Sequence, residues 1–306
     1  MTALKDSVEA LSIGALIALA RPLIDMREAQ MILAHVLGVS RALLIAHPER
    51  LLDAERALLV QSLFARRAAG EPIAYLLGMR EFYGREFIVS PATLIPRPET
   101  ELLVEQAMVR ISGHLVPASR ASASVSSCVL GSRPRLVGSY ARVLDLGTGS
   151  GAIAVSLALE FADAIVIAAD ISPDALKIAA ENARRLNADV AFVESNWYAN
   201  MADRKFDLIV ANPPYVAGDD EHLSHGDLRF EPQIALTDQS SDGLSSIRAI
   251  IDGAPAHLHA GGWLLFEHGF DQAEAARELL LKVGFENLIC MNDLAGIPRV
   301  AGGQIR

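Results

Sequence analysis

The stretch Arg142-Val143-Leu144-Asp145-Leu146-Gly147-Thr148-Gly149-Ser150-Gly151-Ala152 narrows most what this chain can fold into. A short apolar run leads into closely spaced glycines, and Ile153 to Glu160 then follow as a helix. Strand, tight turn and helix in that order form a nucleotide-type cofactor loop, because glycine lets the backbone turn sharply and approach a ligand closely. The pattern alone does not choose the cofactor. Gly147, Gly149 and Ala152 also satisfy the dinucleotide spacing G-x-G-x-x-G/A, so a nicotinamide enzyme stays open at this point.

The same alternation continues downstream. Ala164 to Ala169 reads as a second strand ending at Asp170, whose carboxylate can accept from ribose hydroxyls of either cofactor. Ser172 caps a helix from Pro173 to Leu186, with proline at its first position. A third strand, Val190 to Val193, leads to Glu194-Ser195-Asn196-Trp197. Leu208, Ile209 and Val210 form a run suited to a strand buried on both faces. Further strands are expected at Gly262 to Phe266, Asn287 to Met291 and Arg299 to Ile305, with a helix from Asp271 to Val283. The total is a seven-stranded α/β sheet whose last pair is an antiparallel hairpin.

The run at Leu208 stops in Asn212-Pro213-Pro214-Tyr215. Neither proline can donate to a sheet ladder, and the first holds Asn212 extended. Ligands of open α/β sheets lie just beyond the carboxyl ends of strands, so these four residues are expected at the site. His268, at the end of another strand, is read as structural, since nothing nearby in sequence makes a nucleophilic triad or metal cluster.

Ahead of the sheet, residues Val8 to Ala69 read as several helices. Arg27 to Leu37 stops at Gly38 and Asp53 to Ala69 at Gly70, with Asp25 and Asp53 as N-caps. Val8, Leu11, Ala15, Leu16 and Leu19 fall on one helical face. Asp6 and Glu9 argue against a secretory signal in this stretch, and no apolar run is long enough to span a bilayer. Arg66 and Arg67 are expected on a solvated face or against an acidic partner. Glu81 to Val89 suggests a hairpin about Gly84. Pro98 then starts a helix running to about Ile111, with Arg97 and Glu101 read either as borders of the cofactor pocket or as capping and surface charges. These readings divide the chain into a helical domain over 1–80, a hairpin linker over 81–90 and an α/β domain over 91–306. A serine-rich segment near 112–140 has no sustained period and is expected to be a flexible insertion.

With 306 residues and 51% hydrophobic content, the chain can bury two full cores. A formal net charge of -10 argues against a broad phosphate-binding face and favours a protein or small-molecule partner. The two cysteines, Cys128 and Cys290, lie far apart in no metal-ligand spacing, which points to the cytoplasm.

Taken together, Gly70 to Leu76, Leu94 to Glu101, Asp145 to Gly151, Asn212 to Tyr215, Arg229 to Pro232 and Asp293 to Gly296 closely resemble the HemK/PrmC family of protein-(glutamine N5) methyltransferases. The resemblance implies a class I Rossmann-like methyltransferase domain that binds S-adenosylmethionine, and a helical domain that helps recognise peptide-chain release factors. Gly147, Thr148, Gly149, Ser150 and Gly151 would face the methionine end of the cofactor, Asp170 its ribose and Trp197 its adenine, with Asn212 also at the cofactor. Asn212 and Pro213 would be catalytic, and Asn212, Pro213, Pro214 and Tyr215 would hold the glutamine of a Gly-Gly-Gln loop, the Tyr215 ring packing on its amide. No metal, membrane or direct nucleic-acid contact is expected. Two rivals remain: a nucleic-acid adenine methyltransferase, which shares cofactor and loop, and a non-catalytic release-factor-binding protein. The chain also carries Gly302-Gly303-Gln304, read as coincidence within the last strand.

Overall fold

A computed structural model describes residues 11–114 and 141–306, which fall into two compact units. The first unit comprises the described residues up to Met79 together with His225–Phe230. Its helices are α1 (Ile13–Ala20), α2 (Met26–Leu37), α3 (Arg41–Ala46), α4 (Ala54–Ala68) and α5 (Ile73–Leu77). Local chemistry sets their ends: Asp25 accepts from the Arg27 and Glu28 amides, Asp53 accepts from Arg56, and Gly38 closes α2 in a left-handed conformation. Ile13, Leu16, Ile32, Leu33, Leu44, Val60 and Phe64 form the core.

The buried face of α1 is Ile13, Leu16 and Ala20, whereas Leu19, expected on the core side, is 49% exposed. Ser12 caps the helix and starts it later than the sequence suggests; Val8 lies outside the described residues. Arg66 pairs with Glu71 at 2.5 Å and Arg67 with Glu28 at 2.7 Å, so both arginines are engaged within their own unit. His225–Phe230 joins this unit because Asp227 reaches Arg67 at 3.5 Å and Arg229 donates to the Ala69 carbonyl at 2.6 Å. No local pattern in the sequence marks that association.

The second unit opens with the hairpin β1 (Met79–Phe82) and β2 (Arg85–Ile88), joined by Tyr83-Gly84. Pro98–Thr100 form one turn of 3-10 helix that runs into α6 (Glu101–His114). Ser112 to His114 thus belong to the helix, and not to the expected insertion, whose remainder with Cys128 lies outside the described residues. There follow β3 (Arg142–Leu146), α7 (Ala152–Glu160), β4 (Ile165–Asp170), α8 (Pro173–Leu186), β5 (Val190–Glu194) and β6 (Phe206–Ala211). The unit ends with α9 (Gln233–Leu236), α10 (Ser245–His257), β7 (Leu258–Glu267), α11 (Ala273–Val283), β8 (Glu286–Asn292) and β9 (Pro298–Gln304).

The seven strands run β5-β4-β3-β6-β7-β9-β8, parallel from β5 to β7, with β9 antiparallel to both its neighbours. Alternate residues feed opposite faces. Val143, Leu208 and Val210 pack with α6 and α7, while Leu144, Ile209 and Ala211 pack with α10 and α11. The register sets Leu146 beside both Ala169 of β4 and Ala211 of β6. The next residue on each strand therefore emerges at one edge of the sheet, where Gly147, Asp170 and Asn212 meet. Chain order reverses there, β3 having β4 on one side and β6 on the other, so this edge is the crevice position of an open α/β sheet.

Candidate active site

A cavity of about 240 Å³ opens at that edge. Gly147, Thr148, Gly149 and Ser150 of the β3–α7 turn line it, with Asp170, Trp197, Asn212 and Pro214. Thr93, Leu94, Pro96 and Thr100 line it from before α6, and Pro232, Ile234 and Asp238 from around α9. Asp170 and Asp238 are the charged residues among the lining, which includes no lysine or arginine.

The turn is built for a ligand. Gly149 has a φ of +56 and a Cβ placed there would meet no protein atom within 4 Å, so it faces open space. At Gly151 the reason for glycine is packing as well as conformation: φ is +81 and a Cβ would come 3.1 Å from the Ala179 Cβ on α8. Gly151 therefore lies behind the turn, where α7 and α8 pack closely, and does not line the cavity. Asp170 holds the turn by accepting the Gly149 amide at 2.8 Å, and its other oxygen accepts Ser172 at 2.9 Å. A carboxylate offers about four lone-pair positions, so acceptor capacity remains for a ligand. Burial raises the pKa of Asp170, against the lowering effect of those amide bonds.

Trp197 takes a φ of +48, in the region that side chains rarely adopt, and its ring lies 3.6 Å from where a Gly147 Cβ would stand. Ser195 holds this loop by donating to the Trp197 carbonyl at 2.8 Å while accepting the Asn200 amide at 3.0 Å.

Beside Asn212, a chain of polar groups runs inward. The Asn212 side-chain NH2 donates to the Thr100 hydroxyl at 3.1 Å, and that hydroxyl donates to Glu267 at 2.6 Å. Tyr215 donates its hydroxyl to the other Glu267 oxygen at 2.9 Å. Glu267 is 1% exposed, and burial raises its pKa, opposed by the two hydroxyl donors and Arg299. Burial likewise raises the Tyr215 pKa, so the phenol stays protonated.

Two of the sequence-chosen loop residues, Asn212 and Pro214, line the cavity, and Pro213 and Tyr215 are not among its lining. The Tyr215 ring packs against the core on the α10 and α11 side. Arg97 and Glu101 do not border the cavity. Arg97 instead pairs with the buried Glu231, which also accepts the Ile95 amide at 2.9 Å, and Glu101 accepts the Tyr83 amide at 2.9 Å. His268 is fully buried, with Nδ1 2.7 Å from the Gly269 carbonyl, and burial lowers its pKa, consistent with a structural histidine. Gln304 donates to the Gly261 carbonyl and accepts from Asn287, both at 2.8 Å. A Cβ on Gly302 or Gly303 would fall within 2.6 Å of β7 or β8 atoms, so these glycines serve strand packing.

Sequence reasoning missed Thr100, Glu267 and Asp145. The available signals were an acid closing the apolar run Trp263 to Phe266 and another inside the apolar run of β3. Asp145 is fully buried, accepting from the Thr148 hydroxyl at 2.6 Å and the Ala154 amide at 3.2 Å through one oxygen, while the other has no partner among the described residues. Burial pushes its pKa up to about 7.

The chain matches the family models "PrmC N-terminal domain" over residues 21–78 and "Methyltransferase small domain" over residues 133–228. It is 47% identical over 288 residues to the release factor glutamine methyltransferase of Bordetella pertussis, covering 94% of this chain and 97% of that one. With the protein of the same name from Neisseria gonorrhoeae it shares 46% identity over 279 residues, covering 90% and 92%. Among solved structures, the hMettl16 catalytic domain in complex with an RNA hairpin overlays with a TM-score of 0.53 at 15% identity, covering 80% of this chain and 82% of that one. The T. thermophilus 16S rRNA N2 G1207 methyltransferase, in complex with AdoMet and guanosine, gives 0.51 at 18%, covering 74% and 50%. At such identities these two likenesses concern the fold, a Rossmann-like methyltransferase fold, and not the substrate.

Proposed function

We infer the function from one premise: the chain belongs to the release factor glutamine methyltransferase family, and it transfers a methyl group from S-adenosylmethionine to the side-chain amide nitrogen of a release-factor glutamine. The observation that carries this reading is the near full-length identity to those relatives, with the cavity at the sheet edge as its physical counterpart.

The cavity fits the cofactor. A lining with two aspartates and no basic side chain suits a cationic ligand and opposes the pyrophosphate of a nicotinamide dinucleotide. Asp170 has lone pairs for ribose hydroxyls, Gly147 to Ser150 form the turn along which the methionine end would lie, and Trp197 offers an aromatic face to the base. When bound, S-adenosylmethionine supplies a methyl group already activated on a sulfonium.

The glutamine nitrogen is a poor nucleophile because its lone pair is delocalised into the carbonyl. Orientation is therefore the main task of the residues. In our reading the Asn212 side-chain oxygen accepts one N–H, and the Pro213 carbonyl, next along the chain, accepts the other. The nitrogen lone pair is then left pointing into the cavity. Placement of this kind contributes roughly 7–11 kcal/mol to such reactions. The same acceptors stabilise positive charge that develops on the nitrogen as the N–CH3 bond forms and the sulfonium's S–CH3 bond breaks, before one N–H proton passes to solvent water. Pro213 and Pro214 keep the acceptors in place with little conformational entropy left to lose. Pro214 and Leu94 contribute apolar wall around the amide.

A net charge of -10 supports a protein substrate over a nucleic acid, and among the described residues no helix is long and apolar enough to cross a membrane. We place the reaction in the cytoplasm, where release factors act. Intact-mass analysis of an unmodified release factor after incubation with this protein and S-adenosylmethionine tests the function. The expected result is one added methyl group mapping to the Gly-Gly-Gln glutamine; methylation of RNA or DNA in its place would overturn it.

A further inference from the structure

The bonds from Asn212 to Glu267 have a polarity that constrains the catalytic amide. Thr100 owns one hydroxyl proton. Its partner Glu267, as a carboxylate, can only accept, so that proton is committed to Glu267 at 2.6 Å. Towards Asn212, 3.1 Å away, the Thr100 oxygen can then only accept, which requires the Asn212 NH2 on that side. The Asn212 carbonyl oxygen is left for the cavity that Asn212 and Thr100 both line. With the opposite rotamer an NH2 would face the substrate amide, donor against donor.

We propose that Thr100 and Glu267 are positioning residues that fix the Asn212 side chain with its carbonyl oxygen towards the substrate. The relay is built as a fixed element. Thr100 is 4% exposed and Glu267 1%, and Tyr215 donates to the second Glu267 oxygen at 2.9 Å. The two hydroxyl donors and Arg299 favour the ionised form of Glu267, the form that sets the polarity, and act against burial, which raises its pKa. Three parts of the chain supply the members: the turn before α6, the β6 end and the β7 end. The inference rests on the methyl-transfer reading above, since it assigns a cause to the orientation Asn212 needs there.

Four variants test it: Thr100→Ser, Thr100→Val, Thr100→Ala and Asn212→Ala, each followed by calorimetric S-adenosylmethionine affinity, kcat and KM for a release factor, and the side-chain amide signals in a 1H–15N spectrum. Thr100→Ser keeps the hydroxyl and should hold kcat within about three-fold of wild type. Thr100→Val and Thr100→Ala should lower kcat by about 30-fold or more, with cofactor affinity within about three-fold. The Asn212 NH2 pair, identified by its loss in Asn212→Ala, should move in the Val and Ala variants and stay in place in Thr100→Ser. In an Asn212→Ala background Thr100→Val should add almost nothing, since its only route is through Asn212. Should Thr100→Val not fold, Thr100→Ala, which leaves room for water at Glu267, carries the comparison. A Val or Ala variant with near wild-type kcat, or a loss that multiplies on top of Asn212→Ala, overturns the proposal. Full turnover by Asn212→Ala would instead overturn the reading of the site itself, so the two failures are distinguishable.

Discussion

Asp145 sits where a charge is least welcome, fully buried under the turn, with one oxygen bonded and the other without a partner among the described residues. Burial is the largest influence on it; the Thr148 and Ala154 bonds act in the opposite direction, and its pKa is pushed up to about 7 from an ordinary 3.8. A carboxyl that holds its proton more tightly when folded contributes stability that is fully present below the ordinary value. That contribution is lost as pH rises from about 4 through about 7. Asp145→Asn, which cannot ionise, should remove this slope. Urea unfolding across the window should show the wild-type protein losing stability relative to the variant, by at most ~1.4 kcal/mol per pH unit. Parallel curves for the two proteins would mean that Asp145 is already ionised in the folded state.

At the scale of elements, the site depends on segments outside the sheet. Leu94 and Pro96 line the cavity from one side and Pro232 and Ile234 from another, and the Arg97–Glu231 pair ties the two segments together. The Glu231 side chain is fully buried whereas Arg97 is partly exposed, so the pair is strongly asymmetric. Arg97→Ala would leave a buried carboxylate with the Ile95 amide as its remaining bonded partner among those described. Loss of one partner of a buried ion pair costs about 3–5 kcal/mol, and that loss should appear in urea unfolding of the variant. Glu231→Gln, which keeps the acceptor without the charge, should cost clearly less. Equal costs would indicate that the contact matters as packing and not as charge. The candidate role of Arg97 is thereby changed: it does not line the cavity, yet it holds together two segments that do.

For the whole molecule, the acidic cavity lining makes a prediction about ligand choice. At a concentration of 100 times Kd, a ligand that binds only the folded state stabilises it by about 2.7 kcal/mol. For a unit of this size that is a rise in Tm of several degrees. S-adenosylmethionine should produce this shift and NAD should not. A shift with NAD would mean that the turn accepts a pyrophosphate despite the absence of basic residues in the lining. The same scale explains the tripeptide Gly302-Gly303-Gln304, whose glutamine amide is bonded within the sheet region and whose glycines admit neighbouring strands.

Much of the second unit was legible in the chain because its signals are local. Ser172 and Pro173 open a helix found at Pro173–Leu186, as expected. The apolar runs that precede Gly147, Asp170 and Asn212 are strands, and sheet register alone brings those three ends together. The first unit was legible in its caps but less so in its faces, as Leu19 shows, because only the packing of neighbouring helices decides which side of α1 is buried. Thr100 and Glu267 could not be paired in advance: 167 residues separate them, and a threonine and a glutamate each have many ordinary uses. The sequence by itself therefore determined the elements, the cofactor turn and the presence of Asn212 at a strand end, all consequences of backbone preference and hydrophobic period. Tertiary structure alone decided which way that amide faces, because its orientation is set by hydrogen-bond donors and acceptors that only the strand order brings within 3.1 Å.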